Sequence, residues 1–184
     1  DEAERSGLAA RLGNYMIKAA REAKVNTSWI NVNEAHEQGL RAYVGGVLGA
    51  LGVTGDEPSQ TGARRDPEFA EAFERFAGRL AVAGAVNSLA VVLLKAASPG
   101  VPDFYQGQEQ WDFSLVDPDN RRPVDYEARA EGLKTLADVE TSPEGLRELA
   151  EDWQDGLIKM HVVRTALQFR KSENAVFQTG EYIP

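Results

Sequence analysis

The chain has 184 residues and 42% of them are hydrophobic, which is enough for one domain with a core and argues against wholesale disorder. Its formal net charge of -9 argues against a nucleic-acid partner, because binding to a phosphate backbone depends on clustered Lys and Arg. The absence of cysteine excludes disulfides, thiolate zinc sites and thiol nucleophiles.

Two further expectations concern location and completeness. The longest nearly uncharged run, 80–97, contains Asn87, Ser88 and Lys95, so no membrane span is predicted. The lack of cysteine fits a reducing compartment, and we expect a cytoplasmic location. The chain opens on the helical "DEAERSGL" and closes on "GEYIP", where a strand begins, so we expect a piece of a longer polypeptide.

Helices are predicted over the first part of the chain. Apolar residues recur at three- and four-residue steps over about 5–24, the period of an amphipathic helix. A second helix is predicted over roughly 33–51, with Ser28 or Asn31 as its N-cap. Glu34 follows Asn31 by three residues, in the manner of a capping box.

A long helix is predicted next. The sequence Asp-Pro-Glu at 66–68 supplies an N-cap, a proline at the first helical position and an acid in the first turn. The helix is predicted to reach about residue 97, with a bend or a break at Gly78 or Gly84. The part after Ala85 is apolar on most faces, so we expect it to be buried.

One short strand is predicted after that helix, at 101–105. A single strand cannot satisfy its own backbone donors and acceptors, so it must pair with strands elsewhere, which we expect in the missing polypeptide. Helices follow over 126–139, 142–153 and 156–171. The final "AVFQTGEYIP" has a turn between two β-prone runs and predicts the beginning of a hairpin.

The stretch 103–126, "DFYQGQEQWDFSLVDPDNRRPVDY", combines six acids, two arginines and five aromatics with few aliphatic residues. Carbohydrate sites use such groups, because aromatic faces stack on C–H patches and charged groups hydrogen-bond to vicinal hydroxyls. We therefore interpret the stretch as a binding surface, although a solvated loop position is the ordinary alternative for any one acid. Paired carboxylates also suit glycoside chemistry. Spacing does not choose a pair among Asp103, Glu109, Asp112, Asp117, Asp119 and Asp125.

Other kinds of site find little support. His36 and His161 lie far apart without a metal-binding spacing, so no metal is predicted. The run "GVLGALG" lies on a predicted helix instead of following a strand, so no dinucleotide cofactor is predicted. Trp29 is interpreted as a core anchor in preference to a stacking platform.

The segment "SPGVPDFYQGQEQWDFSLVDPDNRRPVDY" closely resembles the end of the catalytic barrel of the maltooligosyltrehalose synthases, a family of the α-amylase superfamily. Its Pro-Gly-x-Pro-x-x-Tyr-x-Gly-x-Glu element is widespread in the superfamily. The continuation Asp-Pro-Asp-Asn-Arg-Arg-Pro-Val-Asp-Tyr is far more specific to this family. The flanking "NYMIKAAREAKVNTSWINVNEAHEQ" and "EDWQDGLIKMHVVRTALQFRKSENAVF" extend the resemblance to nearly the whole chain, apart from the loop 52–66.

The resemblance implies a (β/α)8 TIM barrel with helical insertions and a C-terminal β domain. This chain would be mostly α with few strands: 1–172 would form the end of the barrel, and 173–184 would begin the β domain. The stretch 101–105 would be the eighth barrel strand and 156–171 the closing helix.

The implied activity is that of a glucosylmutase. It would convert the reducing-end α-1,4 bond of a maltooligosaccharide into an α,α-1,1 trehalose bond by intramolecular transglucosylation. The family's nucleophilic aspartate, acid/base glutamate and stabilising aspartate map upstream of residue 1, so no catalytic residue is assigned and the isolated segment is expected to be inactive. Its partners would be the maltooligosaccharide and the remainder of the parent chain.

The resemblance also implies which residues of this segment line the substrate subsites. Asp117 and Arg121 match the superfamily's sugar-binding Asp and Arg, and Tyr105 and Glu109 match the strand-eight element. Two further positions, Arg122 and Asp125, complete the predicted substrate-binding set. The alternatives are a non-catalytic glucan-binding or helical interaction module, and a fragment of another α-amylase superfamily hydrolase.

Overall fold

The computed structural model describes residues 2–53, 62–139, 142–181 and 183, and this part of the chain is helical. Its seven α-helices are α1 (Glu2–Ala23), α2 (Glu34–Ala50), α3 (Pro67–Ala97), α4 (Tyr126–Asp138), α5 (Pro143–Glu151), α6 (Leu157–Ser172) and α7 (Asn174–Thr179). Two 3-10 turns lie at Asp119–Arg121 and Trp153–Asp155. The prediction of a mostly α chain is confirmed, whereas no β-strand forms among the described residues.

Side-chain caps start four of these helices, α2 to α5. Asp66 and Ser142 cap α3 and α5 as predicted, since each side chain accepts a hydrogen bond at 3.1 Å from the backbone N–H three residues further on. The cap of α2 was predicted wrongly: Asn33 caps it. Ser28 and Asn31 lie in a tight turn before the helix, in which the Asn31 N–H donates to the Ser28 hydroxyl and the Ser28 N–H donates to the Asn31 carbonyl.

The strand predicted at 101–105 is absent, because no described residue pairs with its backbone and an unpaired strand has no ladder to stabilise it. The hairpin predicted at the end of the chain is also wrong over Asn174–Thr179, which is α7. Local hydrogen bonds satisfy this backbone instead, including Gly180 N–H to the Val176 carbonyl. Residues 182 and 184, like most of the loop 52–66, lie outside the described residues.

Helix α3 is continuous over 31 residues, without a break at Gly78 or Gly84. The expectation that its second half is buried is wrong. Among the apolar side chains there, Val92 and Ala96 are buried, whereas most of the others are exposed. Its exposed apolar side chains include Val86, Val91, Leu93 and Leu94. A helix that is apolar around most of its circumference needs neighbours on several sides, and the described residues cover one narrow face.

The expectation that no segment could span a membrane also needs correction. Helix α3 is long and apolar enough by length and composition, with a mean hydropathy of 1.9 over an 18-residue window. A single helix of this kind is weak evidence for a membrane, because core helices of soluble proteins meet the same criterion.

The chain divides into two compact units. The first contains Asp1–Arg79 and Ser114–Arg122, and α1 packs against α2 within it. The second contains Leu80–Phe113 and Pro123–Pro184. Its core consists of the buried Leu136, Leu149 and Met160, with Val139, Leu157 and Ile158 packed around them.

Candidate substrate-binding loop

The acid- and aromatic-rich stretch 103–126 contributes to both units, since its central part, Ser114–Arg122, belongs to the first and its two ends belong to the second. In the first unit Arg121 pairs with Asp117, whereas Arg122 pairs with Asp119. In the second unit the predicted site residues are Tyr105, Glu109 and Asp125.

Asp119 is the structural centre of the part in the first unit. The guanidinium of Arg11, on α1, donates to both of its carboxylate oxygens, from Nε to Oδ1 at 2.7 Å and from Nη2 to Oδ2 at 2.8 Å. The Leu115 N–H donates to Oδ2 at 2.6 Å. A bidentate pair with an additional backbone donor fixes both position and orientation, so Asp119 fastens the loop to α1.

The same contacts set the charge of Asp119. Hydrogen bonding from Arg11, with a smaller contribution from the Leu115 N–H, lowers the pKa of the Asp119 carboxyl group to about 2 against the opposing effect of burial. Such a group carries no proton near neutral pH. Asp119 therefore serves as a fixed anion that organises the loop, and it is unsuited to proton donation.

Asp117 and Arg121 form an exposed ion pair on this loop. Arg121 Nε lies 2.5 Å from Asp117 Oδ1, and the two side chains are 73% and 49% exposed. The backbone of Asp117 is held by α1, because Lys18 donates to the Asp117 carbonyl at 2.5 Å. Arg122 folds back over the loop and donates to the Ser114 hydroxyl at 3.0 Å and to the Asp119 carbonyl at 3.2 Å.

In the second unit, Arg129 on α4 hydrogen-bonds to both ends of the loop. It donates to the Gly107 carbonyl at 2.5 Å and to the Asp125 carbonyl at 3.1 Å, and its Nε lies 3.8 Å from Glu109 Oε2. The Asp125 carboxylate caps α4 by accepting the Ala128 N–H at 2.9 Å. Glu109 and Asp125 therefore have clear structural partners here.

Tyr105 stands apart from these contacts, with its side chain 71% exposed. Its carbonyl accepts a hydrogen bond from the Gln108 side chain. An exposed aromatic ring next to polar groups is a surface on which a sugar ring can stack.

Lys159, at the start of α6, holds the following turn. Its buried amine donates to the Gln110 carbonyl at 3.1 Å and lies 5.6 Å from the Trp111 ring, and burial lowers its pKa. The Trp111 indole N–H donates to the Trp153 carbonyl at 2.6 Å. The turn is thereby attached to the helical core of the second unit.

Arg170, on α6, binds the segment that leads into the loop. Its guanidinium donates to the carbonyls of Ala96 at 2.7 Å and Ser98 at 2.9 Å, and also to that of Gly100. It lies 4.5 Å from the Phe177 ring centroid. These bonds satisfy carbonyls at the end of α3 that have no partner within the helix.

Sequence reasoning missed five cations that position the loop or the segment leading into it: Arg11, Lys18, Arg129, Lys159 and Arg170. Each of them contacts a residue distant in sequence or a backbone carbonyl, and contacts of these two kinds produce no spacing pattern in the sequence. Within the described residues no group of acids and histidines is suited to a metal ion. The core interpretation of Trp29 is wrong, because its ring is exposed and lies 4.9 Å from the Arg21 guanidinium.

A second buried ion pair in the first unit supports α2. Arg21 donates to both oxygens of Glu37, at 2.7 and 2.6 Å, and Thr27 donates to Oε1 at 2.8 Å. Hydrogen bonding from Arg21 is the main reason that the Glu37 pKa falls from 4.5 to about 2.

Replacing Glu37 with glutamine is expected to remove an acid-sensitive part of the stability. Because the folded pKa is lowered, the carboxylate contributes fully above pH 4.5, and the contribution is lost as the pH falls toward 2. The difference in unfolding free energy between the parent and E37Q should shrink over that interval. Urea denaturation at neutral pH and at several pH values between 4.5 and 2 measures it, and a constant difference would contradict the argument.

Comparison with known proteins identifies close relatives, although no family model matches the chain. A protein of Mycobacterium tuberculosis H37Rv named as a maltooligosyl trehalose synthase is 35% identical over 179 residues, which are 97% of this chain and 19% of that protein. A crystal structure of a maltooligosyl trehalose synthase matches with a TM-score of 0.77 and 33% identity, over 93% of this chain and 21% of that one.

The maltooligosyltrehalose synthase of Arthrobacter ramosus gives a TM-score of 0.68 and 38% identity, over 92% of this chain and 19% of that one. The resemblance drawn from the motifs is therefore confirmed. The chain spans about a fifth of the length of the relatives it matches.

Proposed function

We propose that this chain is one segment of a maltooligosyl trehalose synthase of the α-amylase superfamily. The complete enzyme would convert the reducing-end α-1,4 bond of a maltooligosaccharide into an α,α-1,1 bond by intramolecular transglucosylation. This segment would supply substrate-binding groups, and the reacting carboxylates would come from elsewhere in the polypeptide. The proposal is carried by one observation of geometry: the exposed Asp117–Arg121 ion pair lies on a loop that Arg11 of α1 holds through Asp119.

The pair has the chemistry that a sugar site needs. A carboxylate beside a guanidinium holds both groups in one orientation while leaving N–H donors and carboxylate lone pairs for vicinal hydroxyls. Within the described part of the chain the loop itself does not cover these two side chains. The exposed Tyr105 ring would supply an apolar face for a glucose unit.

The remaining predicted residues have more indirect parts in this proposal. Arg122 would hold the loop through Ser114 and Asp119, and its half-exposed side chain would offer further donors to a sugar. Glu109 and Asp125 would keep the ends of the loop in place through Arg129 and the N-terminus of α4, and only their free oxygens would meet substrate.

We further propose that 1–172 is the end of a (β/α)8 barrel and that 173–184 leads into a β domain. The stretch 101–105 would gain its strand partners, and the exposed apolar face of α3 its cover, from the remainder of the polypeptide. Exposed valines and leucines along α3 support this assignment, because so much apolar surface is normally covered in a folded protein. A cytoplasmic location is part of the same proposal and is supported by the absence of cysteine.

Product analysis tests the activity. The complete polypeptide incubated with maltopentaose is expected to yield a non-reducing oligosaccharide of unchanged mass that ends in trehalose, whereas the isolated segment yields no product. Release of shorter reducing sugars as the main product would favour another α-amylase superfamily hydrolase. Glucan binding without turnover by the complete polypeptide would favour a non-catalytic module and contradict the proposal.

A further inference from the structure

We infer that Arg11 is a positioning residue for the Asp117–Arg121 pair and acts on it through Asp119. The inference rests on the proposed function, since it assigns Arg11 a part in presenting that pair to a sugar. It is drawn from the contact between α1 and the loop, which joins residues 108 positions apart in the sequence.

The first step is how Asp119 shapes the turn. Its carboxylate accepts from Arg11 and from the Leu115 N–H, while its own backbone N–H donates to the Val116 carbonyl at 3.0 Å. Asp119 also opens the 3-10 turn that ends at Arg121. The backbone that carries Arg121 is thus fixed by the residue that Arg11 holds.

The second step is that α1 holds the turn at two points. Lys18 lies seven residues after Arg11, two turns along the same face of the helix, and it donates to the Asp117 carbonyl. Asp117 is therefore held directly through its carbonyl, and Arg121 lies two residues after Asp119, which Arg11 holds. Besides these contacts with α1, the pair is restrained by its own ion pair and by the Arg121 N–H, which donates to the Pro118 carbonyl at 3.0 Å.

The third step is the advantage for binding. A surface loop that must be ordered when a ligand arrives loses conformational entropy at that moment, and this loss weakens binding. A loop already held in one conformation avoids that loss. Removing the tether should therefore weaken the handling of substrate even though Arg11 itself is largely covered and need not touch the sugar.

The chain contains a closely matched control on the same helix. Arg21 makes an equally short bidentate pair with Glu37, and the side-chain exposures are 24% and 10%, against 24% and 14% for Arg11 and Asp119. Arg21 has no described contact with Ser114–Arg122. A purely structural effect of losing a partly buried guanidinium should therefore be similar for Arg11→Met and Arg21→Met.

The test uses steady-state kinetics of the complete synthase with maltopentaose. Arg11→Met is expected to lower kcat/KM about tenfold, mainly by raising KM, which is the scale of one lost hydrogen bond. Arg11→Lys should recover part of the loss, because a lysine restores the charge without the bidentate geometry. Arg21→Met should leave the KM of the folded fraction unchanged.

A double variant decides whether Arg11 acts through Arg121. If it does, Arg11→Met adds little to the loss already caused by Arg121→Ala, whereas independent effects would multiply. Unchanged kinetics for Arg11→Met, an equal rise in KM for Arg21→Met, or multiplying losses would each overturn the inference while leaving the proposed function standing. If Arg121→Ala itself has no effect, the sugar-binding part of the proposed function fails, and the inference fails with it.

Circular dichroism confirms that each variant is folded. Should Arg11→Met fail to fold, Lys18→Met tests the second point of attachment by the same kinetics. It is expected to raise KM in the same direction, and an unchanged KM would overturn the inference.

Discussion

Replacing Arg121 with alanine in the complete enzyme is expected to lower kcat/KM for maltopentaose about 10- to 150-fold. The side chain is exposed and held by Asp117, so in the proposed site its guanidinium donates directly to sugar hydroxyls. Losing a hydrogen bond to a charged group costs about 1.5–3 kcal/mol, and each 1.4 kcal/mol corresponds to about tenfold. Initial rates of trehalose-ended product over a range of substrate concentrations measure the change.

The matched control for this variant is Arg75→Ala. Arg75 pairs with Glu71 four residues away on α3, and its side chain is also 73% exposed, but it lies outside the loop. An exposed pair of this kind contributes little to stability, so R75A should keep the kinetics of the parent. Equal kinetics for R121A and the parent would remove Arg121 from the substrate-binding set.

Local signals explain what could be predicted from the sequence. The period of apolar residues predicted α1 within a few residues of its ends, and the Asp-Pro-Glu signature fixed the start of α3. These features depend on neighbours along the chain, and the sequence contains those neighbours. The motif at 98–126 likewise identified the loop that the structure places on α1 and α4.

Contacts distant in sequence explain what could not be predicted. Nothing in the local pattern distinguishes Arg11, which fastens Asp119, from the exposed Arg75, because both are arginines within predicted helices. The hairpin prediction failed for a related reason. Residues 174–179 have weak preferences of their own, and a helix satisfies their backbone within the described chain.

The apolar second half of α3 is another case in which the sequence does not reveal contacts with distant residues. Its composition predicts a helix with neighbours on several sides, but composition does not say which residues those neighbours are. In the described chain Val92 and Ala96 are covered, and neighbouring aliphatic residues such as Val91, Leu93 and Leu94 remain exposed. A burial prediction made from hydropathy assumes that the partners are present.

Replacing Gly107 with alanine is expected to destabilise the second unit by about 1–3 kcal/mol. Gly107 has a φ of 77°, a conformation that side chains rarely adopt, and an added Cβ would lie 2.8 Å from both methyl carbons of Val124. The backbone cannot shift freely, because the Gly107 carbonyl is held by Arg129. Urea denaturation of the chain in a Trp29→Phe background, followed by the fluorescence of Trp111 and Trp153, measures the loss.

Two further variants separate the causes of this effect. Val124→Ala in the G107A background removes the methyl carbons that clash, so it should recover the steric part and leave the cost of the positive φ. Gly78→Ala introduces the same methyl group in α3, where nothing lies within 4 Å, and it should stabilise the helix by about 0.5–1 kcal/mol. If G107A and G78A changed stability equally, the turn at Gly107 would not require glycine. The contact between Gly107 and Val124 would then not determine the backbone conformation at this end of the candidate substrate-binding loop.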